Sequence, residues 1–154
     1  MVSFLFNLHK TFNYIARIPR TRGFGVQSPT VYSFLRHGLN ERAFVREHEN
    51  LPSDYFSSSK LERLTFRIKS YLPSARIRMF DASELSSIVN DELSLQTKDT
   101  DVFVISNIRF DTASLLLWQQ LVSDNRTVVT LDLFDCGLVF FDKRTFKQHF
   151  KVNY

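Results

Sequence analysis

Between residues 60 and 141 the apolar residues switch repeatedly from helical spacing to strand runs and back, and this alternation limits the fold more than any other feature. Residues 60–72 place Leu61, Leu64, Ile68 and Leu72 on one helical face and stop before Pro73. In residues 76–80, Arg76 and Arg78 alternate with Ile77 and Met79, which predicts a strand with one polar face, near a sheet edge or against a polar interface. Leu85, Ile88, Val89 and Leu93 return to helical spacing. Within the strand read over 101–105, Val102 to Ile105 are an unbroken apolar run, the pattern of a central strand covered on both sides. A helix around Leu115 and Trp118 (112–122) and a strand (127–134) follow. The sum is an α/β sheet with helices on its faces.

The last pair breaks the pattern. Residues 127–134 and 138–141 are separated by only Asp135, Cys136 and Gly137, too few for a parallel crossover, so an antiparallel hairpin is predicted with these three as its turn. Residues 149–154 read as a further extended segment at the edge.

The first 48 residues are helical instead. Phe4, Leu5, Leu8, Phe12 and Ile15 make residues 3–17 an amphipathic helix, whose stripe suits docking on its own domain or a partner subunit better than a membrane interface, since its polar face carries little charge. Residues 18–26, with Pro19, Gly23 and Gly25, read as a loop. Ser28-Pro29 is a helix start, with the helix running through residues 30–37 and closing on Gly38. A polar connection over 47–59 joins this part to the rest. The helices are too small for their own core, so 1–154 is read as one domain, with 1–48 a helical extension and 60–154 the α/β core.

Glycine is scarce. The chain has four, Gly23, Gly25, Gly38 and Gly137, and none lies between Leu39 and Cys136. That excludes a P-loop and a G-x-G-x-x-G turn from the middle of the chain, since both need glycine where backbone approaches phosphate. The 16 phenylalanines point to an aromatic-rich core. The single Cys136 cannot form an internal disulfide, and no run of about 18 apolar residues could span a membrane. With no secretory signal pattern at the start, the cytoplasm is the expected location.

Net charge is +4, unevenly spread. Residues 1–40 carry Lys10, Arg17, Arg20, Arg22 and Arg36 and no acid, while Lys60, Arg63, Arg67, Lys69, Arg76 and Arg78 are opposed only by Glu62. This asymmetry supports either a solvated face or a footprint for nucleic acid or an anionic membrane.

At the predicted carboxyl ends of the first two strands, where open α/β sheets bind ligands, stand Asp81, Ser83, Glu84, Ser106 and Asn107. Helix capping accounts for part of this group: Ser83 is read as the cap of one helix and Asp111 as that of another. His9, His37, His48 and His149 are scattered, so no metal site is expected. Cys136 beside Asp135 is poorly placed for a thiolate, there is no G-x-S-x-G elbow, and Asp91 and Glu92 would face different sides of a helix. No catalytic set emerges.

Three segments resemble the class I S-adenosylmethionine-dependent methyltransferases, in particular a bacterial subgroup with a helical N-terminal extension. Gly25-Val26-Gln27-Ser28-Pro29-Thr30-Val31-Tyr32 resembles that subgroup's H-G-V-H-S-P-F-V-Y. Asp101-Val102-Phe103-Val104-Ile105 resembles the strand leading into the family's Asp-Gly-Asn-His turn. Asp132-Leu133-Phe134, Gly137-Leu138-Val139-Phe140-Phe141 and Gln148-His149-Phe150 are similar to its closing hairpin and tail. The departures matter as much. Phe24, Gln27 and Thr30 replace His, His and Phe. Asp81-Ala82-Ser83-Glu84 stands where the family has its glycine-rich cofactor loop, and Ser106-Asn107-Ile108-Arg109 replaces the aspartate-bearing turn. A side chain in place of glycine blocks close approach of backbone to a ligand.

The resemblance therefore implies a reduced Rossmann-like, methyltransferase-like mixed sheet with a C-terminal antiparallel hairpin and N-terminal helices. It further implies a degenerate family member that binds no cofactor, acting through protein contacts as a homodimer or as the partner of a full-length relative. Asp81, Ser83, Glu84, Ser106 and Asn107 would be the remnant of its pocket. Two other expectations stand beside it: a working methyltransferase that holds S-adenosylmethionine atypically or across a dimer, and a basic surface for nucleic acid or anionic membrane.

Overall fold

Ser28 begins the part of the chain that the structure, a computed structural model, describes: residues 28–92 and 97–152. The predicted helix over 3–17, the loop over 18–26, Leu93 and the last two residues lie outside it. The Ser28 hydroxyl accepts the Val31 N–H (3.4 Å) and Pro29 occupies the first helical position, as expected. The helix, α1 (Pro29–Ser33), widens into a π-helical turn, Phe34–Leu39. Gly38 is not its cap. It is buried inside the wide turn, where an added Cβ would sit 2.8 Å from Phe34 Cδ2 and 3.0 Å from Tyr71 Cγ. The turn ends at Asn40, whose carboxamide accepts the Arg42 and Ala43 N–H groups and caps a helix the sequence pattern did not single out, α2 (Glu41–Glu47).

Helix α3 (Lys60–Tyr71) begins with a reciprocal capping box: the Ser59 hydroxyl accepts the Glu62 N–H (3.2 Å) and Glu62 accepts the Ser59 N–H (2.7 Å). Strands β1 (Arg76–Asp81) and β2 (Asp101–Ser106) are joined by a short 3₁₀ turn (Ala82–Glu84), one helical turn, α4 (Leu85–Ser87), and a π turn (Ile88–Glu92). Helix α5 (Thr112–Ser123) leads to β3 (Val129–Asp132), then β4 (Cys136–Phe140) and β5 (Gln148–Lys151).

The five strands form one mixed sheet in the order β1-β2-β4-β3-β5. β1 and β2 are parallel, β4 is antiparallel to both β2 and β3, and β5 is parallel to β3. Thus β4 alone runs against the others, β1 lies at an edge, one of the two settings its residue alternation allowed, and β5 takes the other edge; along β1 Met79 is the more exposed residue and Arg78 is half-buried. The hairpin forms, but its turn is shifted: Leu133, Phe134 and Asp135 make it, and Cys136 and Gly137 belong to β4.

Alternation along the central strands sorts the core into two halves. Val102, Val104, Leu131 and Leu138 meet Phe34, Leu35, Leu64 and Ile68 on one face. Phe103, Ile105 and Val139 meet Leu85, Ile88, Trp118 and Leu121 on the other. Gly137 decides how closely α5 approaches: a Cβ there would lie 2.4 Å from Trp118 Cη2. The sequence suggested a turn glycine, but the structure needs it as a bare patch of strand beneath an indole.

Candidate functional site

Because β1 and β2 are parallel and pair Asp81 with Ser106, their carboxyl ends lie side by side. This brings Asp81, Ser83, Glu84, Ser106 and Asn107 together, as the sequence predicted, but around a single carboxylate. Asp81 Oδ1 accepts the Ser83 N–H (3.0 Å) and hydroxyl (2.8 Å). Its Oδ2 accepts the Ser106 hydroxyl (3.1 Å) and the Asn107 side-chain amide (2.6 Å). Asn107 reaches it from a left-handed backbone conformation, φ 60°, which asparagine tolerates better than most residues. The Glu84 carboxylate accepts the Asp81 N–H (2.7 Å), completing a capping box. Asp81, not Ser83, is therefore the cap: Ser83 sits inside the turn and donates to it. Asp111 does cap α5, accepting the Ser114 N–H at 2.7 Å.

These donors hold the Asp81 carboxyl well below the usual carboxylate range, at about 2, chiefly through the Ser83 N–H and next through Asn107. Four donors fill the acceptor positions of a carboxylate, and so low a pKa makes a weak base at neutral pH. Chemically the cluster fastens β1 to β2.

A second fastening closes the neighbouring end of β2. Arg109 forms a bidentate pair with Asp132, at 2.7 Å to Oδ1 and 2.5 Å to Oδ2, and donates to the Phe134 carbonyl at 2.5 Å. The same Asp132 Oδ1 accepts the Phe134 N–H (3.0 Å), and Phe134 takes a left-handed φ of 82° beneath the guanidinium, 5.1 Å from its ring centroid. The Ile108 N–H donates to the Asp135 carbonyl (3.3 Å). Side-chain burial is nearly complete, with Arg109 11% and Asp132 2% exposed. The sequence offered Arg109 only as a replacement residue in a turn and gave no sign of its partner 23 positions on.

An apolar cavity of about 180 Å³ lies at the opposite end of the sheet, lined by Val31, Phe34, Ala75, Val102 and Phe140 and rimmed by Asp142 and Arg144. Asp142 and Arg144 pair with each other at 2.7 Å.

The basic cluster of residues 60–78 is largely engaged within the chain. Arg63 (2.7 Å) and the buried Arg67 (3.1 Å) share Glu41, and Arg67 also donates to the Tyr55 hydroxyl (2.9 Å). Arg76 grips buried Asp101 in two 2.7 Å bonds, and Lys69 donates to the Ala75 carbonyl (2.8 Å). Lys10, Arg17, Arg20 and Arg22 lie outside the described residues. His37 pairs with Glu47 (3.0 Å), His48 stacks on Phe44 (3.9 Å between centroids), and His149 shares a hydrogen bond with Thr130 (2.8 Å). Among the described residues no three His, Cys, Asp or Glu side chains are grouped to hold a metal, and no helix is long and apolar enough to cross a membrane. Cys136 is buried in β4 and not in the hairpin turn where the sequence placed it.

No family model, curated protein or solved structure matches this chain.

Proposed function

We propose that this chain is a shortened, non-catalytic relative of the class I S-adenosylmethionine-dependent methyltransferases and that it acts through protein contacts, as a homodimer or as the partner of a full-length relative. One observation carries the reading. The carboxyl ends of β1, β2 and β3, where a sheet of this class would receive a ligand, are filled by the chain's own side chains: the Asp81 knot and the Arg109–Asp132 pair. A glycine-rich turn would leave room there for a cofactor, whereas Asp81-Ala82-Ser83-Glu84 folds back on itself. The ancestry rests on the resemblance of residues that fall at the end of β3, in the hairpin turn, along β4 and on β5.

Calorimetric titration with S-adenosylmethionine tests the catalytic side of this proposal. The expected result is no binding heat at millimolar ligand. Micromolar binding overturns it in favour of a methyltransferase with an atypical or dimer-completed site. Size exclusion with light scattering tests the other side, with a species larger than one 18.1 kDa chain expected in the micromolar range.

A further inference from the structure

We infer that the apolar cavity beside the amino ends of β1 and β2 is a binding site for a small aromatic amine, a molecule with one ring of benzene size and a short arm ending in an ammonium group. The site lies at the far end of the sheet from the Asp81 knot and is independent of the function proposed above.

Volume and wall chemistry set the ring. Alternation along the strands turns Val102, Val129 and Leu131 toward the face that α1, its π turn and α3 cover, and Phe34, Tyr71 and Phe140 complete the wall. Phe34 meets both other rings edge to face, with centroids 5.5 Å away in each case. The cavity these residues line holds about 180 Å³. Native interiors seldom keep a void of that size, because the atoms around it lose packing contacts. An apolar cavity of roughly 150 Å³ takes up benzene. This one therefore has room for a single ring and a few further atoms, and it offers that ring three aromatic neighbours. The Tyr71 hydroxyl is already hydrogen-bonded to Ser33 (2.8 Å), so the part of the ligand that enters must be apolar.

The rim sets the charge of the head group. Asp142 and Arg144 are spent on each other, with Arg144 Nε (2.8 Å) and Nη2 (2.7 Å) donating to the two carboxylate oxygens. Asp101 is likewise held by Arg76 in two 2.7 Å bonds. Asp99 stands on the same rim, exposed, and forms no hydrogen bond or ion pair among the described residues. One carboxylate at the mouth is thus left uncompensated. It attracts an ammonium and repels a carboxylate, while its exposure lets the charged head stay in water as the ring is buried.

The test titrates the full chain, followed by amide chemical shifts in NMR, with three probes: phenethylamine, phenylpropionate as the same ring with the opposite charge, and toluene as the ring alone. Phenethylamine is expected to bind in the submillimolar range and about fivefold tighter than phenylpropionate, the scale of an exposed ion pair. The amides of Val102, Val129 and Phe140 should shift most. Asp99→Asn should abolish the preference for the amine and leave toluene binding unchanged. Ala75→Leu and Val129→Phe, each adding volume to the wall, should keep the wild-type circular dichroism and lose all three probes. Absence of binding by both toluene and phenethylamine overturns the site, as do shifts centred elsewhere in the chain or binding that survives both filling variants. Phenylpropionate binding as tightly as phenethylamine, or a preference that persists in Asp99→Asn, overturns the assignment of the amine.

Discussion

Asp81 gathers four donors around one carboxylate, and its removal is directly testable. Asp81→Ala discards the cap of the turn after β1, leaves Asn107 without this acceptor and leaves the Ser106 hydroxyl only the Phe80 carbonyl (3.3 Å), so a loss of about 1–2 kcal/mol is expected in urea unfolding. The pH dependence has a definite sign. A carboxyl whose folded pKa is about 2 and whose unfolded value is 3.8 adds stability that is complete above about pH 4 and fades as pH falls toward 2. The variant should therefore show a flatter stability profile over that window. Gly137 offers a second test. Gly137→Ala drives a Cβ into the fully packed indole of Trp118 and should cost about 1–3 kcal/mol, and the cost should shrink in the background of Trp118→Phe, where the smaller ring gives way. Neither role could be read locally. Asp81 ends a strand and starts a turn at once, and the sequence pattern assigned the cap to the nearest serine. Gly137 looked like a turn residue because the indole that requires it lies 19 positions earlier, on another element.

At the scale of elements, the pair between Arg109 and Asp132 ties the turn after β2 to the end of β3, two strands that are not neighbours because β4 lies between them. Arg109→Ala would leave a carboxylate 2% exposed without its charged partner, a change that typically costs about 3–5 kcal/mol. Denaturant unfolding should register that loss with an unchanged slope, and a shift below about 1 kcal/mol would show the pair to be dispensable. The elements themselves were largely legible. Helix α3, strands β1 to β5, helix α5 and the hairpin all follow from apolar spacing, proline stops and loop length. What spacing missed were the irregular turns. The π turns at Phe34–Leu39 and Ile88–Glu92 keep helical spacing while changing the hydrogen-bond partner, so periodicity cannot distinguish them. Helix α2 escaped notice because only Phe44 of its seven residues is buried.

For the molecule as a whole, the two cores are anchored on the central strands. β2 is buried from Asp101 to Ile105 and is flanked on both sides, as is β4. Hydrogen exchange should accordingly find the amides of β2 and β4 the slowest, opening only with global unfolding, and those of the edge strand β5 faster. Equal protection of β5 would mean that its outer edge is covered.

The alternation of apolar periods, fixed by the sequence itself, determined a mixed α/β sheet, its hairpin and the central place of β2, because burial on one face or two leaves a direct imprint on residue order. The absence of glycine after the first strand likewise marked the turn that departs from a cofactor loop. Only the tertiary structure decided what fills that end of the sheet. Asp81 with Asn107 and Arg109 with Asp132 are meetings between residues more than twenty positions apart. Such contacts depend on strand order and register, which no local pattern of side chains encodes.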